Sequence, residues 1–354
     1  MKSITIGMDL GDKKIMVCVL NENIEKILKK EISNSKKELN KLISKYKNSK
    51  IIVALETGTH SPWISRHLEK LGCEVLVGNS RKLRMIYKND RKSDEQDAEM
   101  LARIAKLDPE LLSPIKHRSE KCHADLTLVK SRVVLLDSRK KIINNIRSIS
   151  KTFGERLPSC TAKYFHKKVL EFIPEILKES LLPLLETIEH LTKQIDYFDK
   201  KMTELSEEKY PETKILKQIT GVGPITSLAF VLTLETPDKF EKSRDVGAFL
   251  GMVPRRDQSG RIDKQLPISK KGDSYVRQSL VNCAQYILGV FGKDCDLRRF
   301  GERIMIRGGK NGKKRAVVAV ARKLSVLMHK LWKTGDIYDP FYNSNKNKCS
   351  KKVA

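Results

Sequence analysis

Short apolar runs alternate with helix-spaced stretches through the first 110 residues. Residues 3–9 (SITIGMD) read as a β-strand ending on an acid, Gly11-Asp12 as a hairpin turn and residues 15–20 (IMVCVL) as the returning strand. Residues 25–31 supply a third strand. Over 35–47, Leu39, Leu42, Ile43 and Tyr46 fall on one helix face. Residues 51–55 (IIVAL) form a continuous apolar run, the mark of a buried parallel strand. A helix follows over 60–71 with Pro62 near its first turn, then a second buried strand over 74–78 (EVLVG). Residues 93–107 are helical, with Ala98, Leu101, Ala102, Ile104 and Ala105 as the apolar surface. An opening meander followed by α/β crossovers predicts a mixed sheet covered by helices.

The pattern changes after residue 119. Leu126, Val129, Val133, Leu136, Ile143, Ile146 and Ile149 recur at helical spacing, and residues 172–209 repeat it. This predicts two long helices in an antiparallel pair or coiled-coil arm, with imperfect heptads. Beyond 211 the chain offers a Gly-rich turn at 219–224 (ITGVGP), a helix over 240–250, a loop-rich basic segment over 251–269 and helices over 273–290 and 315–332. A polar tail that frays is expected at the end. These shifts divide the chain into a sheet domain over 1–112, a helical linker over 113–210, a mostly helical C-terminal domain over 211–340 and a basic tail over 341–354.

Charge adds a partner to this picture. The 354 residues carry 70 basic and 43 acidic side chains, a formal net charge of +27. Residues 211–354 hold +16 of it and residues 111–170 hold +10, against +6 over 1–110 and −5 over 171–210. A chain this basic has a polyanion as its default partner, and nucleic acid is the commonest one. A generally Lys-rich proteome is the plainer alternative. No apolar window is long enough to span a bilayer. The first residues lack the apolar core of a signal peptide. The seven cysteines are scattered without a C-x-x-C, which predicts reduced thiols in a cytosolic protein. Secreted enzymes, membrane proteins and zinc fingers are the classes these features exclude.

Four carboxylates stand out by position. Asp9 ends the first strand, Glu56 ends the run IIVALE, and Asp94 and Asp97 sit three apart at the start of a helix. Sites in open sheets lie beyond strand ends, so Asp9 and Glu56 can converge there with one face of the 93–107 helix. Crowded carboxylates either protonate or bind a divalent cation, and an oxygen-only set suits Mg²⁺ or Mn²⁺. Asp94 and Asp97 also read as simple favourable charges at a helix N-terminus.

Two further signals lie downstream. In ITGVGP, Gly221 and Gly223 allow close backbone approach, and the amides of the following helix can bind a phosphate. This resembles a helix-hairpin-helix; an ordinary helix–helix turn reads equally well. Around residues 249–284, Arg255, Arg256, Arg261, Lys264, Lys270, Lys271 and Arg277 crowd one loop, and residues 251–330 carry +13. Ser259, between Gln258 and Gly260, is ringed by these cations. It reads either as an oxygen nucleophile for a phosphodiester with cationic support or as a plain Ser-Gly turn.

GMDLGDKK, VALETGTHSPW and KSDEQDAEMLARIA resemble the three acidic blocks of a RuvC-like DEDD domain. The run from ITGVGP through PRRDQSG to ISKKGDSYVRQSL resembles the C-terminal domain of the same proteins. These are the bacterial insertion-sequence transposases of the IS-one-ten family, with the related Piv-type DNA invertases. The matching blocks, 3–107 and 215–334, cover most of the chain in the family's order. The resemblance implies a RuvC-like (RNase H-like) mixed α/β sheet domain, a long helical linker and a mostly α-helical C-terminal domain with a helix-hairpin-helix-like turn. It implies Asp9, Glu56, Asp94 and Asp97 as metal ligands for Mg²⁺, with Mn²⁺ able to substitute. It implies Ser259 as the nucleophile of a 5′-phosphoserine intermediate, with Ser269 helping to hold its loop. Glu95 is an extra acid without a counterpart.

The partners the resemblance implies are double-stranded DNA at element ends and target and a structured non-coding bridge RNA that guides the choice of sites. Further copies of the chain complete the set, in homodimers and homotetramers whose acidic and serine domains share a site across subunits. The expected location is the bacterial cytoplasm, at the nucleoid. Two other classes compete: a junction-resolving nuclease using the acids alone, and a nucleic-acid-binding module without catalysis.

Overall fold

The computed structural model describes residues 3–83, 93–260 and 262–345. The chain forms two compact units, Met1–Ser119 and Glu120–Ala354.

The first unit is built on a five-stranded mixed sheet: β1 (Ser3–Leu10), β2 (Lys14–Leu20), β3 (Lys26–Ser33), β4 (Lys50–Glu56) and β5 (Glu74–Gly78), in the order β3-β2-β1-β4-β5. The β1–β2 and β2–β3 pairs are antiparallel, and β1–β4 and β4–β5 are parallel. The meander with crossovers read from the apolar runs is therefore present. Helix α1 (Lys36–Ser44) starts where the Ser35 hydroxyl accepts the Glu38 amide, and α2 (Ser61–Lys70) carries Pro62 in its first turn. These two helices cover one face, on which Ile6, Met8, Val17, Val53 and Leu55 pack against Leu39, Leu42, Ile64 and Leu68.

Short α3 (Ser80–Leu83) and α4 (Asp94–Leu107) lie on the other face. Ser93 caps α4 by accepting the Gln96 amide. Ala98 and Ala102 pack with Cys18 and Leu20, while Leu101, Ile104 and Ala105 pack with Ala54, Leu83 and Leu112. The approach is very close at Gly7 in the middle of β1. A Cβ there would lie 1.9 Å from the Ala98 carbonyl oxygen and 2.6 Å from the Ala102 amide nitrogen, so only glycine fits.

Ion pairs fasten α4 to the β3 edge. Glu99 pairs with Lys26 at 3.0 Å and with Arg103 at 2.9 Å. These two partners, Lys26 first, hold the Glu99 carboxyl below its ordinary value. A lowered carboxyl pKa contributes stability that is present above the unfolded-state pKa and lost as pH falls through the folded one. The stability gap between wild type and Glu99→Gln is therefore expected to close on acidification. Urea unfolding at neutral pH and below pH 4 measures it; a gap independent of pH would contradict the pairing.

The second unit opens with two long helices, α5 (Glu120–Thr152) and α7 (Glu175–Glu208), with short α6 (Phe165–Lys168) between them. Lys209 meets Asp125, Arg132 meets Asp199 and Arg139 meets Thr192, so partners fall on one helix as they rise on the other: the pair is antiparallel, as expected. Phe165, Val169 and Ile173 close its far end against Ile143, Ile146, Leu181 and Leu185. The near end shares a core with helices α8 (Glu212–Leu216), α9 (Pro224–Leu234), α10 (Asp245–Phe249), α11 (Ser274–Leu288), α12 (Asp296–Arg307) and α13 (Gly312–Thr334). All of α9 from Ser227 to Leu234 is buried, which makes it the axis of this core.

Three expectations are corrected here. The segment 251–269 is not a loop but a hairpin of β6 (Pro254–Ser259) and β7 (Ile262–Ile268). The helix over 240–250 shrinks to α10 after a 3₁₀ turn at Pro237–Lys239. Helix α12 was not anticipated. Of the tail, Asn343 and Ser344 donate backbone amides to Asp296, and residues from 346 onward lie outside the described residues. Among the described residues no helix is long and apolar enough to cross a membrane, and the six cysteines are free thiols.

Candidate functional site

The acidic site belongs to the first unit. Met8 of β1 pairs with Leu55 of β4, so the next residues, Asp9 and Glu56, stand at one level on two adjacent parallel strands, Asp9 one residue before the end of β1, not at its end as expected, and Glu56 last in β4. Strand alternation puts Asp9 on the face of Gly7, and Glu56 on the face of Ala54, which is the face that α4 covers. Asp94 and Asp97 stand in the first turn of α4. Asp9 and Asp94 line one open cavity of about 280 Å³, together with Asp12, Lys13, Lys14 and Glu31. Glu56 and Asp97 are half-buried beyond its lining.

The structure thus brings Asp9 and Asp94 together, sets Glu56 beside Asp9, and keeps Asp97 three residues from Asp94 on the same helix. Among the described residues no three of His, Cys, Asp and Glu converge into a closed metal cluster. The donor chemistry still fits a divalent metal: carboxylate oxygens at adjoining strand ends and a helix start, opening onto solvent. Glu95, the extra acid, turns away to Lys29 of β3 at 2.6 Å.

Two residues at the rim escaped the sequence reading. Trp63 donates its indole N–H to His60 Nδ1 at 3.2 Å, and His60 Nε2 lies 3.1 Å from Asp12 Oδ1. With Nδ1 accepting, Nε2 carries the proton that Asp12 receives. The signal available was the H-S-P-W run closing VALETGTHSPW; the contact with Asp12 was not legible from spacing.

The serine site belongs to the second unit. Ser259 ends β6 and pairs with Ile262; Gly260, next in the chain, has φ +54, with nothing within 4 Å of where a Cβ would stand. Arg261 lies outside the described residues. Every residue of β6 is exposed, and β7 is nearly so. An isolated two-stranded ribbon has little stability of its own, so the root must hold it. Ser269 donates its amide to Val253 O at 2.9 Å and Lys270 to Gly251 O at 3.0 Å. Gly251 and Gly272 have φ +72 and +96, and a Cβ on either would fall within about 2 Å of facing backbone oxygens, at 1.9 and 2.1 Å.

The seven cations singled out around this hairpin separate by environment. Arg277 is part-buried and donates to Leu250 O at 3.0 Å and Asp273 O at 3.4 Å, so it braces the root. Arg256 forms a two-pronged pair with Asp263 at 2.7 and 2.6 Å, which holds the Asp263 carboxyl below its ordinary value. Arg255, Lys264, Lys270 and Lys271 are exposed and make no ion pair among the described residues.

The glycine turn lies elsewhere in this unit. Gly221 has φ +91, and a Cβ on it would lie 2.9 Å from the Tyr286 ring, so conformation and packing both demand glycine. Gly223 is the uncapped N-cap of α9, and nothing lies within 4 Å of where its Cβ would stand. Both glycines line a cavity of about 900 Å³ with Arg132, Arg139 and Lys140 of α5. Arg132 is taken up by Asp199 and Arg139 by Thr192, which leaves exposed Lys140 beside the start of α9 as the charge suited to an anion.

Comparison with known proteins agrees with both halves. A transposase family profile, the DEDD transposase of IS110, matches residues 6–153, and the profile described as transposase IS116/IS110/IS902 family matches residues 213–294. The chain is 27% identical over 287 residues to the transposase for insertion sequence element IS1328 of Yersinia enterocolitica, covering 79% of this chain and 82% of that one. It is 26% identical over 339 residues to the putative transposase y4pF/y4sB of Sinorhizobium fredii, covering 95% and 85%. It is 25% identical over 244 residues to the transposase for insertion sequence element IS1111A of Coxiella burnetii, covering 67% and 65%. The chain is an insertion-sequence transposase, an enzyme that cuts and joins DNA. More particularly, it carries both transposase domains of the IS110 family, in order.

Proposed function

We propose that the chain recombines DNA through a covalent 5′-phosphoserine on Ser259, supported by a divalent cation held by Asp9, Glu56, Asp94 and Asp97. The observation that carries this reading is Ser259 at the exposed tip of a hairpin rooted among unpaired cations. In the step we infer, Ser259 Oγ attacks phosphorus and loses its proton. The new Oγ–P bond replaces the P–O3′ bond, and the 3′-hydroxyl leaves. The phosphodiester energy stays in the phosphoserine, so rejoining needs no nucleotide cofactor. Lys264, paired opposite Asp257 and so one same-face position back from Ser259, is the nearer cation to offset developing charge. A bound Mg²⁺ or Mn²⁺ supplies charge neutralisation at the reacting oxygens.

The reading extends to partners. Double-stranded DNA at element ends and target is the substrate, a bridge RNA guides their choice, and dimers and tetramers bring the acidic domain of one subunit to the serine domain of another. The deciding experiment incubates the protein with labelled DNA and Mg²⁺ and then denatures it. A protein–DNA adduct supports this reading; free cut DNA without adduct favours a metal-only nuclease.

Phosphate contact by the hairpin cations has its own test. Neutralising Arg255, Lys270 or Lys271 is expected to lower the salt slope of duplex binding by about 0.9 each. Arg256→Gln is expected to lower it less, because Asp263 already occupies that guanidinium. Salt-dependent binding isotherms measure the difference; equal slopes for all four variants would contradict the sorting.

A further inference from the structure

The turn between α12 and α13 is a second concentration of charge, apart from the hairpin and the glycine turn. Arg303 and Arg307 on α12, Lys310 in the turn, and Lys313, Lys314 and Arg315 in the first turn of α13 are all exposed. Among the described residues none of the six makes an ion pair; the nearest acid in sequence, Glu302, is committed to Arg298 at 2.9 Å. No Asp or Glu occurs between Glu302 and Asp336.

This charge runs against the field of the helix that carries it. The N-terminus of a helix is its positive end and favours acids. Helix α13 has 23 residues, no acid in its first turn, three cations there, and an N-cap, Asn311, whose side chain makes no capping hydrogen bond. Packing does not force the arrangement, since the cations are exposed. The turn itself is tight. A Cβ on Gly308 would lie 2.4 Å from Gly312 Cα, and one on Gly312 would lie 2.4 Å from the Met305 carbonyl oxygen. Backbone contact thus clamps the end of α12 to the start of α13 and gathers the cations of both helices into one knuckle.

We propose that this knuckle is a sequence-independent docking surface for the phosphate backbone of duplex DNA. The proposal rests on the chain being a DNA-acting transposase, and not on the serine mechanism. The Gly312 amide is taken by Gly309 O, so it is the exposed, unpaired cations, gathered at the positive end of a helix, that match phosphate oxygens. Residues 303–315 (RIMIRGGKNGKKR) contain no aromatic side chain on which unpaired bases can stack, which favours a paired duplex over a single strand. Such a surface adds affinity and residence on DNA without reading its sequence.

The test compares the full-length protein with its Lys313→Gln/Lys314→Gln/Arg315→Gln variant. Each binds a short labelled DNA duplex of arbitrary sequence, and an RNA hairpin of equal stem length, across a salt series. For duplex DNA the salt slope is expected to fall by about 2.7, about 0.9 per phosphate contact, with affinity about tenfold or more weaker and equally so for unrelated sequences. The melting temperature without DNA is expected to stay the same or rise, because like charges leave the positive end of a helix. Unchanged slope and affinity for DNA overturn the proposal. A loss confined to the RNA hairpin also overturns it and reassigns the surface. If the triple variant melts lower, Arg303→Gln/Arg307→Gln decides: a lowered slope with an intact melting temperature is expected, and an unchanged slope overturns the proposal. Absence of a covalent adduct from the wild-type protein would sink the serine reading and leave this binding result standing.

Discussion

Ser259→Ala is expected to yield no covalent protein–DNA adduct and no recombinant product, while still binding duplex DNA close to wild-type strength. The hydroxyl is the only group removed, and it is exposed near the tip of a hairpin. Exposed substitutions of this kind change stability by about 0.5 kcal/mol or less, so the variant folds. Arg255, Lys264, Lys270 and Lys271 remain to hold phosphate, and the variant should stall as an assembled, uncleaved complex. Denaturing gels of labelled DNA give the adduct, and mass spectrometry of the wild-type adduct should find the nucleotide on the peptide containing Asp257–Arg261. A label on Ser269, Ser274 or Ser279 would move the nucleophile while keeping the class. Wild-type cleavage by Ser259→Ala, with no adduct in either protein, would sink the serine mechanism and favour the nuclease.

Asp9→Asn is expected to lower strand cleavage by about a thousandfold or more while leaving DNA binding nearly intact. The amide keeps the shape of the carboxylate and removes its charge. Several kcal/mol of charge stabilisation at reacting oxygens depend on a well-held cation, and each 1.36 kcal/mol is tenfold in rate. Glu56→Gln, Asp94→Asn and Asp97→Asn should follow. Activity should need Mg²⁺ or Mn²⁺, and Zn²⁺ should replace them poorly, because the set offers no nitrogen or sulfur. Full recombination by Asp9→Asn, or undiminished activity in excess EDTA, would remove these acids from the chemistry.

What the sequence revealed follows from how strongly each element is buried. Strands β4 and β5 pack on both faces, so their apolar runs are unbroken. Helix α4 announces itself through Ser93 and its alanine stripe. The hairpin was illegible because solvent reaches both its faces, so no alternation of apolar and polar residues marks it. Helix α12 was hidden by Gly301, which reads as a breaker. In the fold that glycine lets α12 close on its neighbours, since a Cβ would lie 2.5 Å from Leu288 and 2.8 Å from Val320. The positions of the acids at strand ends and helix start were readable, whereas the His60–Asp12 contact and the roles of Arg256 and Arg277 depend on partners that only the fold brings near.

The contact at Gly7 has a genetic corollary. The strand bearing Asp9 and the helix bearing Asp94 touch through main chain, with no side chain between them to yield. Their alignment is accordingly set by an atom that is missing. One added methyl at position 7 would act as a wedge, prising α4 from the sheet and parting the two acids while both remain chemically intact. An inactive element copy can therefore retain every acid and the serine and be broken by a single apolar substitution two residues upstream of Asp9.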